Sequence, residues 1–143
     1  VRMHHSGREI IKSLPFDDCT VRANPVMLEQ LFYNILENAI QYSPEVAPVL
    51  ITGHKQDGRV EIAISDQGCG IPVSELNRVF DRFYRSAENI RKEGHGLGLS
   101  IASGFAQAFG GAISAHSPLE MGKGTKIIVR LPASASPSES NGQ

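Results

Sequence analysis

The stretch from Asn24 to Pro44 constrains the fold most. Asn24 can cap a helix, and Pro25 suits its first position, where the N–H it lacks would be unpaired anyway. Leu28, Leu31, Phe32, Ile35, Leu36 and Ala39 then recur at helical spacing, and Pro44 marks the end. A helix with one continuous apolar stripe has to bury it, so elements elsewhere in the chain must supply a second layer.

Those elements read mostly as strands. Residues 8–14 and 19–23 predict two short strands around a turn at Pro15–Asp18. Strands at 49–54 and 60–65 are joined by Gln56-Asp57-Gly58, a hairpin turn. Val60, Ile62 and Ile64 alternate with Glu61, Ala63 and Ser65, which buries one face. Residues 73–80 predict a short helix and 84–95, polar and without period, a mobile loop. A second long helix over 97–109 stops at Gly110-Gly111, where glycine supplies a left-handed cap. Strands at 112–117 and 125–131 flank a Gly-rich turn, 118–124.

The domain plan that follows is a linker remnant over 1–7, one domain over 8–132 and a low-complexity disordered tail over 133–143, with no internal repeat. Two long helices and several strands in hairpin order predict an α+β fold. Its form is a two-layer sandwich, with a mixed sheet and the helices on one face. The regular strand–helix alternation of a dinucleotide-binding doubly wound fold is absent.

Composition narrows the function classes. The 143 residues hold 14 Lys+Arg against 15 Asp+Glu, a formal net charge of −1, which argues against a broad nucleic-acid footprint. A 41% hydrophobic share is that of a folded domain, not of an acidic disordered segment. No apolar run approaches the roughly 18 residues of a membrane span. The start, Val1-Arg2-Met3-His4-His5, lacks a signal-peptide core and reads as a cut from a longer chain. Cys19 and Cys69 have no metal-binding or disulfide spacing and read as free thiols in a reducing compartment. Glycine is the outlier: 14 residues, against a usual share of roughly 7%, so where they cluster matters.

Three features carry chemistry. Asn34, Asn38, Gln41 and Tyr42 form a polar stripe beside the apolar one on the first helix. A solvated face is the plain reading, but such faces favour Lys and Glu. Two Asn one turn apart instead suit carbonyl oxygens that hold a hard cation. Asp66-Gln67-Gly68-Cys69-Gly70-Ile71-Pro72 follows a strand, and its glycines would let backbone approach a ligand closely, with Asp66 placed to accept from an amino group. A simple turn is the alternative there. Gly94-His95-Gly96-Leu97-Gly98-Leu99-Ser100 opens the second helix, where unpaired N–H groups make a phosphate site. The lysine of the GxxxxGK[ST] phosphate loop is missing, which excludes that mechanism. The preceding stretch, 78–92, carries a net +3 from Arg78, Arg82, Arg85, Arg91 and Lys92 against Asp81 and Glu88, fit to cover polyphosphate.

Five groups stand in order. They are Asn34-x-x-x-Asn38, Asp66-x-Gly68-x-Gly70, Phe80-Asp81-Arg82-Phe83-Tyr84-Arg85, Gly94-x-Gly96-Leu97-Gly98-Leu99 and Gly122-x-Gly124-Thr125. This set resembles the N, G1, F, G2 and G3 boxes of the catalytic ATP-binding domain of sensor histidine kinases, in the GHKL (HATPase_c) superfamily of gyrase and heat-shock-chaperone ATPases. The resemblance covers roughly residues 8 to 132. The Gly104-Phe105…Gly110-Gly111 stretch is faintly similar to potassium-responsive sensor kinases.

The resemblance implies a Bergerat-type fold with a mobile ATP lid, and ATP and Mg²⁺ as ligands. Asp66 would accept from the adenine amino group, with Thr125 helping through water. Gly68 and Gly70 would admit the base and Ile71 would wall it. Asn38 would ligate Mg²⁺, with Asn34 and Tyr42 near phosphates and sugar. Arg85, joined by Lys92, would reach the phosphates from the lid. Gly94, Gly96, Leu97, Gly98 and Leu99 would present backbone N–H groups, and His95 would line the site. Phe80 and Phe83 would anchor the lid to the core. Where related ATPases carry a glutamate base this chain has Asn34. Slow hydrolysis and transfer to a protein acceptor are implied. Gln41 stands where many members carry Lys, which removes a charge from the phosphates.

His4 and His5 lack an acceptor box and read as linker residues, and His54 and His116 fall in predicted strands, where a structural role is expected. The acceptor histidine would therefore lie on a dimerisation and phosphoacceptor domain of the same protein. A response regulator would follow indirectly. The fragment alone would not autophosphorylate. It would be a monomer from a homodimeric parent, at the cytoplasmic end of a membrane-anchored sensor, without membrane or nucleic-acid contact of its own. Cys69 reads as an inert spacer before it reads as an oxidation-sensitive thiol. Two other classes remain at this stage: an ATP-dependent switch of the chaperone or mismatch-repair type, and a non-catalytic descendant that binds partners without nucleotide.

Overall fold

The computed structural model describes residues 2–5, 8–13, 21, 23–42, 47–68, 70–71, 74, 76, 78–81, 98–117 and 124–133. Helix α1 runs Pro25–Tyr42. Asn24 caps it as expected: its Oδ1 accepts the N–H of Val26 at 2.9 Å and of Met27 at 3.2 Å, while its carbonyl takes Leu28 N–H at 2.9 Å. A cap of this kind is worth about 1 kcal/mol. Leu31, Ile35 and Ala39, one turn apart, are almost wholly buried.

Strands β1 (Arg2–His5), β2 (Arg8–Ser13), β3 (Val49–Gln56), β4 (Arg59–Asp66), β5 (Ala112–His116) and β6 (Thr125–Pro132) form one sheet, in the order β1-β2-β3-β4-β6-β5. Only β2 and β3 run parallel, joined through α1; every other neighbouring pair is antiparallel. The mixed sheet expected from sequence is therefore present. Asp57 (φ 53°) and Gly58 (φ 76°) make a two-residue turn between paired Gln56 and Arg59, the geometry that an Asp-Gly pair favours. The Ala133 N–H donates to Gly58 carbonyl at 2.8 Å, which fastens the end of β6 beside that hairpin.

Helix α2 spans Gly98–Ala108. It ends in a Schellman motif, with Gly110 at φ 78°, Gly111 N–H on Ala106 carbonyl at 2.8 Å and Gly110 N–H on Gln107 carbonyl at 3.0 Å. At Gly111 a side chain would collide with the Arg130 carbonyl oxygen, so here glycine permits the chain to pass close under β6. Both helices cover one sheet face. Leu31 and Ile35 from α1 and Leu99, Ala102 and Ala106 from α2 meet Ile51, Ile64, Ile127, Val129 and Leu131 in a single core. Each fully buried Leu or Ile contributes about 1.5–3 kcal/mol.

One local expectation needs correction, and two others fall only in part on the described residues. Residues 1–7 are not merely linker: Arg2–His5 pairs antiparallel with β2, from Arg2↔Ile11 to His5↔Arg8. The two residues between His5 and Arg8 are Ser6-Gly7, a turn signal that the lack of apolar alternation in 2–5 masked. In the expected 19–23 strand, Val21 makes an isolated bridge to Ala133, and residues 19, 20 and 22 lie outside the described ones. Over 73–80 Ser74 is in 3₁₀ conformation and the other described residues form turns, while 73, 75 and 77 lie outside the described ones. Asp81 N–H reaches Arg78 carbonyl at 2.9 Å, three residues back, and adjacent Val79 and Phe80 both turn into the core. The 84–95 loop and the 134–143 tail segment lie outside the described residues.

Candidate functional site

The sheet positions one end of the site. Asp66 is the last residue of β4, Thr125 the first of β6, and the two are register partners on the helix-covered face. They are 7% and 6% exposed, two of the three buried polar residues among the described ones, with Ser117 the third. Asp66 Oδ1 accepts Gly68 N–H at 2.8 Å, an Asx turn that bends the chain as it leaves the strand. A carboxylate has about four lone-pair sites and can accept from more than one donor. The Gly68 carbonyl in turn accepts Gly124 N–H at 2.9 Å.

Gly70 and Gly124 hold φ of 82° and 91°, values that L side chains rarely adopt. A Cβ on Gly70 would also stand 3.0 Å from Ser117 Oγ and 3.4 Å from Gly124 carbonyl oxygen. Ile71 packs, partly buried, against the core, and its N–H donates to Ser117 Oγ at 2.7 Å. Ser117 Oγ donates to Gly124 carbonyl at 2.7 Å. The loop over 66–71 and the approach to β6 are thus laced together beside a buried carboxylate. Sequence reasoning singled out Asp66, Gly68, Gly70, Ile71 and Thr125, and the structure brings all five together. Ser117 was missed; its one sequence signal is a small hydroxyl residue at the end of an alternating strand.

The helices position the other end. Asn34 and Asn38 lie one turn apart on α1, both partly buried. Gln30 Nε2 donates to Asn34 Oδ1 at 3.2 Å. Asn34 Nδ2 is buried and has no hydrogen-bond partner among the described residues, a donor at full desolvation cost. The start of α2 sits against it: a Cβ on Gly98 would stand 3.7 Å from Asn34 carbonyl oxygen and 3.9 Å from Asn34 Cβ. Those are ordinary contact distances, so Asn34 does not itself demand glycine there. Leu99 contributes its side chain to the core, which anchors the helix start. N–H groups in that first turn carry the positive end of the helix dipole, suited to anionic oxygen.

The side chains of the remaining expected residues lie outside the described ones. Gln41 and Tyr42 close α1, and their side chains lie outside the described residues. Arg85, Lys92, Gly94, His95, Gly96 and Leu97 also lie outside them, as do Phe83 and Gly122. Among the described residues no three His, Cys, Asp or Glu cluster as a metal site. His54 and His116 stand on the outer sheet face, flanking a polar chain. His54 Nε2 is 3.8 Å from Glu61, Glu61 pairs with Arg130 at 2.8 Å, Arg130 reaches Ser114 at 3.3 Å, and Ser114 reaches His116 at 3.3 Å. That is the structural role expected of both histidines.

Residues 23–135 match the family described as histidine kinase-, DNA gyrase B-, and HSP90-like ATPase. Over 128 residues the chain is 41% identical to the sensor histidine kinase WalK of Bacillus subtilis (strain 168), covering 87% of this chain and 21% of that protein. Among solved structures, a mycobacterial sensor histidine kinase, MprB, superposes with a TM-score of 0.79 at 33% identity, covering 87% of this chain and 84% of that one. Full-length ShkA in complex with AMPPNP gives 0.76 at 31%, covering 92% of this chain and 27% of that one. The chain spans between about a fifth and a third of the curated relatives it matches first, 21%, 34% and 23% of their lengths.

Proposed function

The chain belongs to the histidine kinase-, DNA gyrase B-, and HSP90-like ATPase family, as an ATP-binding catalytic domain of the two-component sensor kinases. From that premise we propose that it holds Mg-ATP and delivers the γ-phosphoryl group to a histidine on a partner acceptor domain. The observation that carries this reading is the buried Asp66–Thr125 pair at the paired ends of β4 and β6, beside the backbone of Gly68 and Gly70. A carboxylate buried there is suited to accept from an exocyclic amino group, and glycine backbone lets a flat base come close.

Asp66 accepts from the adenine amino group, Thr125 supports it through water, and Ile71 walls the base. At the helix end Asn34 and Asn38 turn their amides to the phosphates, with the first turn of α2 donating N–H groups to them. Tyr42 and Gln41 stand near sugar and phosphate. Arg85 and Lys92 close from the lid, and Gly94, His95, Gly96 and Leu97 line the phosphates with Gly98 and Leu99.

The residues present fit a magnesium ion. Mg²⁺ takes hard oxygen ligands and commonly uses only one or two from the protein, the rest being water and substrate phosphates. The Asn38 amide oxygen is such a ligand, and Asn34 Nδ2 one turn away, without a partner among the described residues, is a donor that a phosphate oxygen or metal-held water would satisfy. When bound, the ion offsets charge on the phosphates. In the transfer the bond from the bridging oxygen to the γ-phosphorus breaks as a P–N bond forms to the imidazole. ADP leaves and the imidazole proton passes to solvent. The protein's part is orientation and charge stabilisation.

The acceptor is the dimerisation and phosphoacceptor domain of the same protein, from which a response regulator then draws the phosphoryl group. The domain works on the cytoplasmic side of a membrane-anchored sensor; among the described residues no helix is long and apolar enough to cross a membrane. The test is to mix the chain with radiolabelled Mg-ATP and the acceptor domain. Acid-labile, base-stable phosphate on the acceptor is expected. Asn38→Ala should lower transfer about 100-fold or more with an unchanged circular dichroism spectrum, and full transfer in that variant would contradict the metal role. Appreciable steady-state hydrolysis without acceptor would point to an ATP-driven switch instead.

A further inference from the structure

Ser117 follows β5 directly and is 9% exposed, and none of the roles above uses it. A serine hydroxyl has one proton to donate and two lone pairs with which to accept. The proton goes to Gly124 carbonyl at 2.7 Å, and Ile71 N–H, 46 residues away in sequence, takes a lone pair at 2.7 Å. Thr125 Oγ1 stands at 3.4 Å, beyond the roughly 2.5–3.0 Å of a well-formed O–H···O bond. The hydroxyl is therefore committed to two backbone groups from two separate loops, and Thr125 is only loosely drawn to it.

We propose that Ser117 is a positioning residue for the nucleotide base: its hydroxyl sets the spacing between the 68–71 backbone and the Gly124–Thr125 backbone, and so where the amino edge of adenine meets Asp66. The inference rests on the reading of this site as an ATP site. Gly70 belongs to the same device, because a Cβ there would press on Ser117 Oγ at 3.0 Å. Asp66 and Thr125 are the paired ends of the strands bordering these loops, so widening the spacing moves the base away from the acceptor while the strands themselves stay paired. The loosely held Thr125 hydroxyl keeps the freedom to turn toward the base or a bridging water.

The 143-residue chain is titrated calorimetrically with Mg-ADP and with Mg-IDP, in which a carbonyl replaces the adenine amino group. For the wild type, ADP should bind more tightly than IDP. Ser117→Ala should weaken ADP about tenfold, the scale of one lost hydrogen bond with its partners left unsatisfied, and weaken IDP much less. Ser117→Cys, which keeps the size and a weaker hydrogen-bonding group, should fall between. Should the Ala variant not fold, the Cys variant carries the same comparison. Equal losses for both nucleotides, or wild-type affinity and preference in a folded variant, would overturn the positioning role. A wild type that binds neither nucleotide would overturn the ATP reading itself.

Discussion

The two ends of the site are held in opposite ways. Around Asp66 the protein satisfies its own polar groups: Gly68 N–H, Gly68 carbonyl, Ile71 N–H and Gly124 carbonyl all have short protein partners. Around Asn34 it does not, because a buried amide nitrogen is left without one among the described residues. The base end is assembled before any ligand arrives, as preorganised recognition requires. Among the described residues the helix end carries an unmet donor, which a bound ligand would satisfy. Under the proposed reading, recognition of the base and holding of the phosphates would rest on different physical terms within one domain.

Four substitutions probe the contrast. Asp66→Ala should be the most severe, since it removes a charge-assisted acceptor and orphans Gly68 N–H; about 3 kcal/mol, or roughly two orders of magnitude in ATP affinity by calorimetry, is expected. Gly70→Ala forces an L side chain into φ 82° against Ser117 and should cost about 1–3 kcal/mol, a melting temperature several degrees lower by scanning calorimetry. At the other end the sign divides. Asn34→Leu should raise the melting temperature of the free protein, by about 1 kcal/mol of relieved desolvation, while shrinking the upward shift that Mg-ATP produces. A fall in free-protein stability would show that the Asn34 amide is satisfied by the protein after all, and the contrast would dissolve. Gln41→Lys should have the smallest effect, a few-fold tightening of ATP from one added charge near the phosphates, read in the same titration.

What was legible in the sequence depended on how local the cause was. The Asn24 cap, the Asp57-Gly58 turn and the Gly110 stop each act within about four residues of their own position, and all three were read from residue type alone. Asp66 with Gly68 was legible for the same reason, since the Asx turn spans two residues. Ser117 was not, because its partners are set by which strands become neighbours, and β6 reaches β4 only through a change of strand order. The β1 pairing failed similarly: four residues without alternation gain their place from β2, not from their own pattern. At the end of the 73–80 stretch Val79 and Phe80 are drawn into the core side by side, a placement that no short-range pattern signals. The lid residues Arg85 and Lys92 stand on motif order alone.

The strand register carries one further meaning. Glu61 and Arg130 face each other on the outer surface, in the same β4–β6 ladder that, five positions on, turns Asp66 and Thr125 inward. Because side chains alternate with every residue, a slip of one would exchange the faces and carry the carboxylate out of the site. The outer ion pair is therefore a genetic neighbour of the base pocket, although it lies on the other side of the sheet. Suppressors of a weakened pocket should be sought there, on the face of the sheet away from the helices.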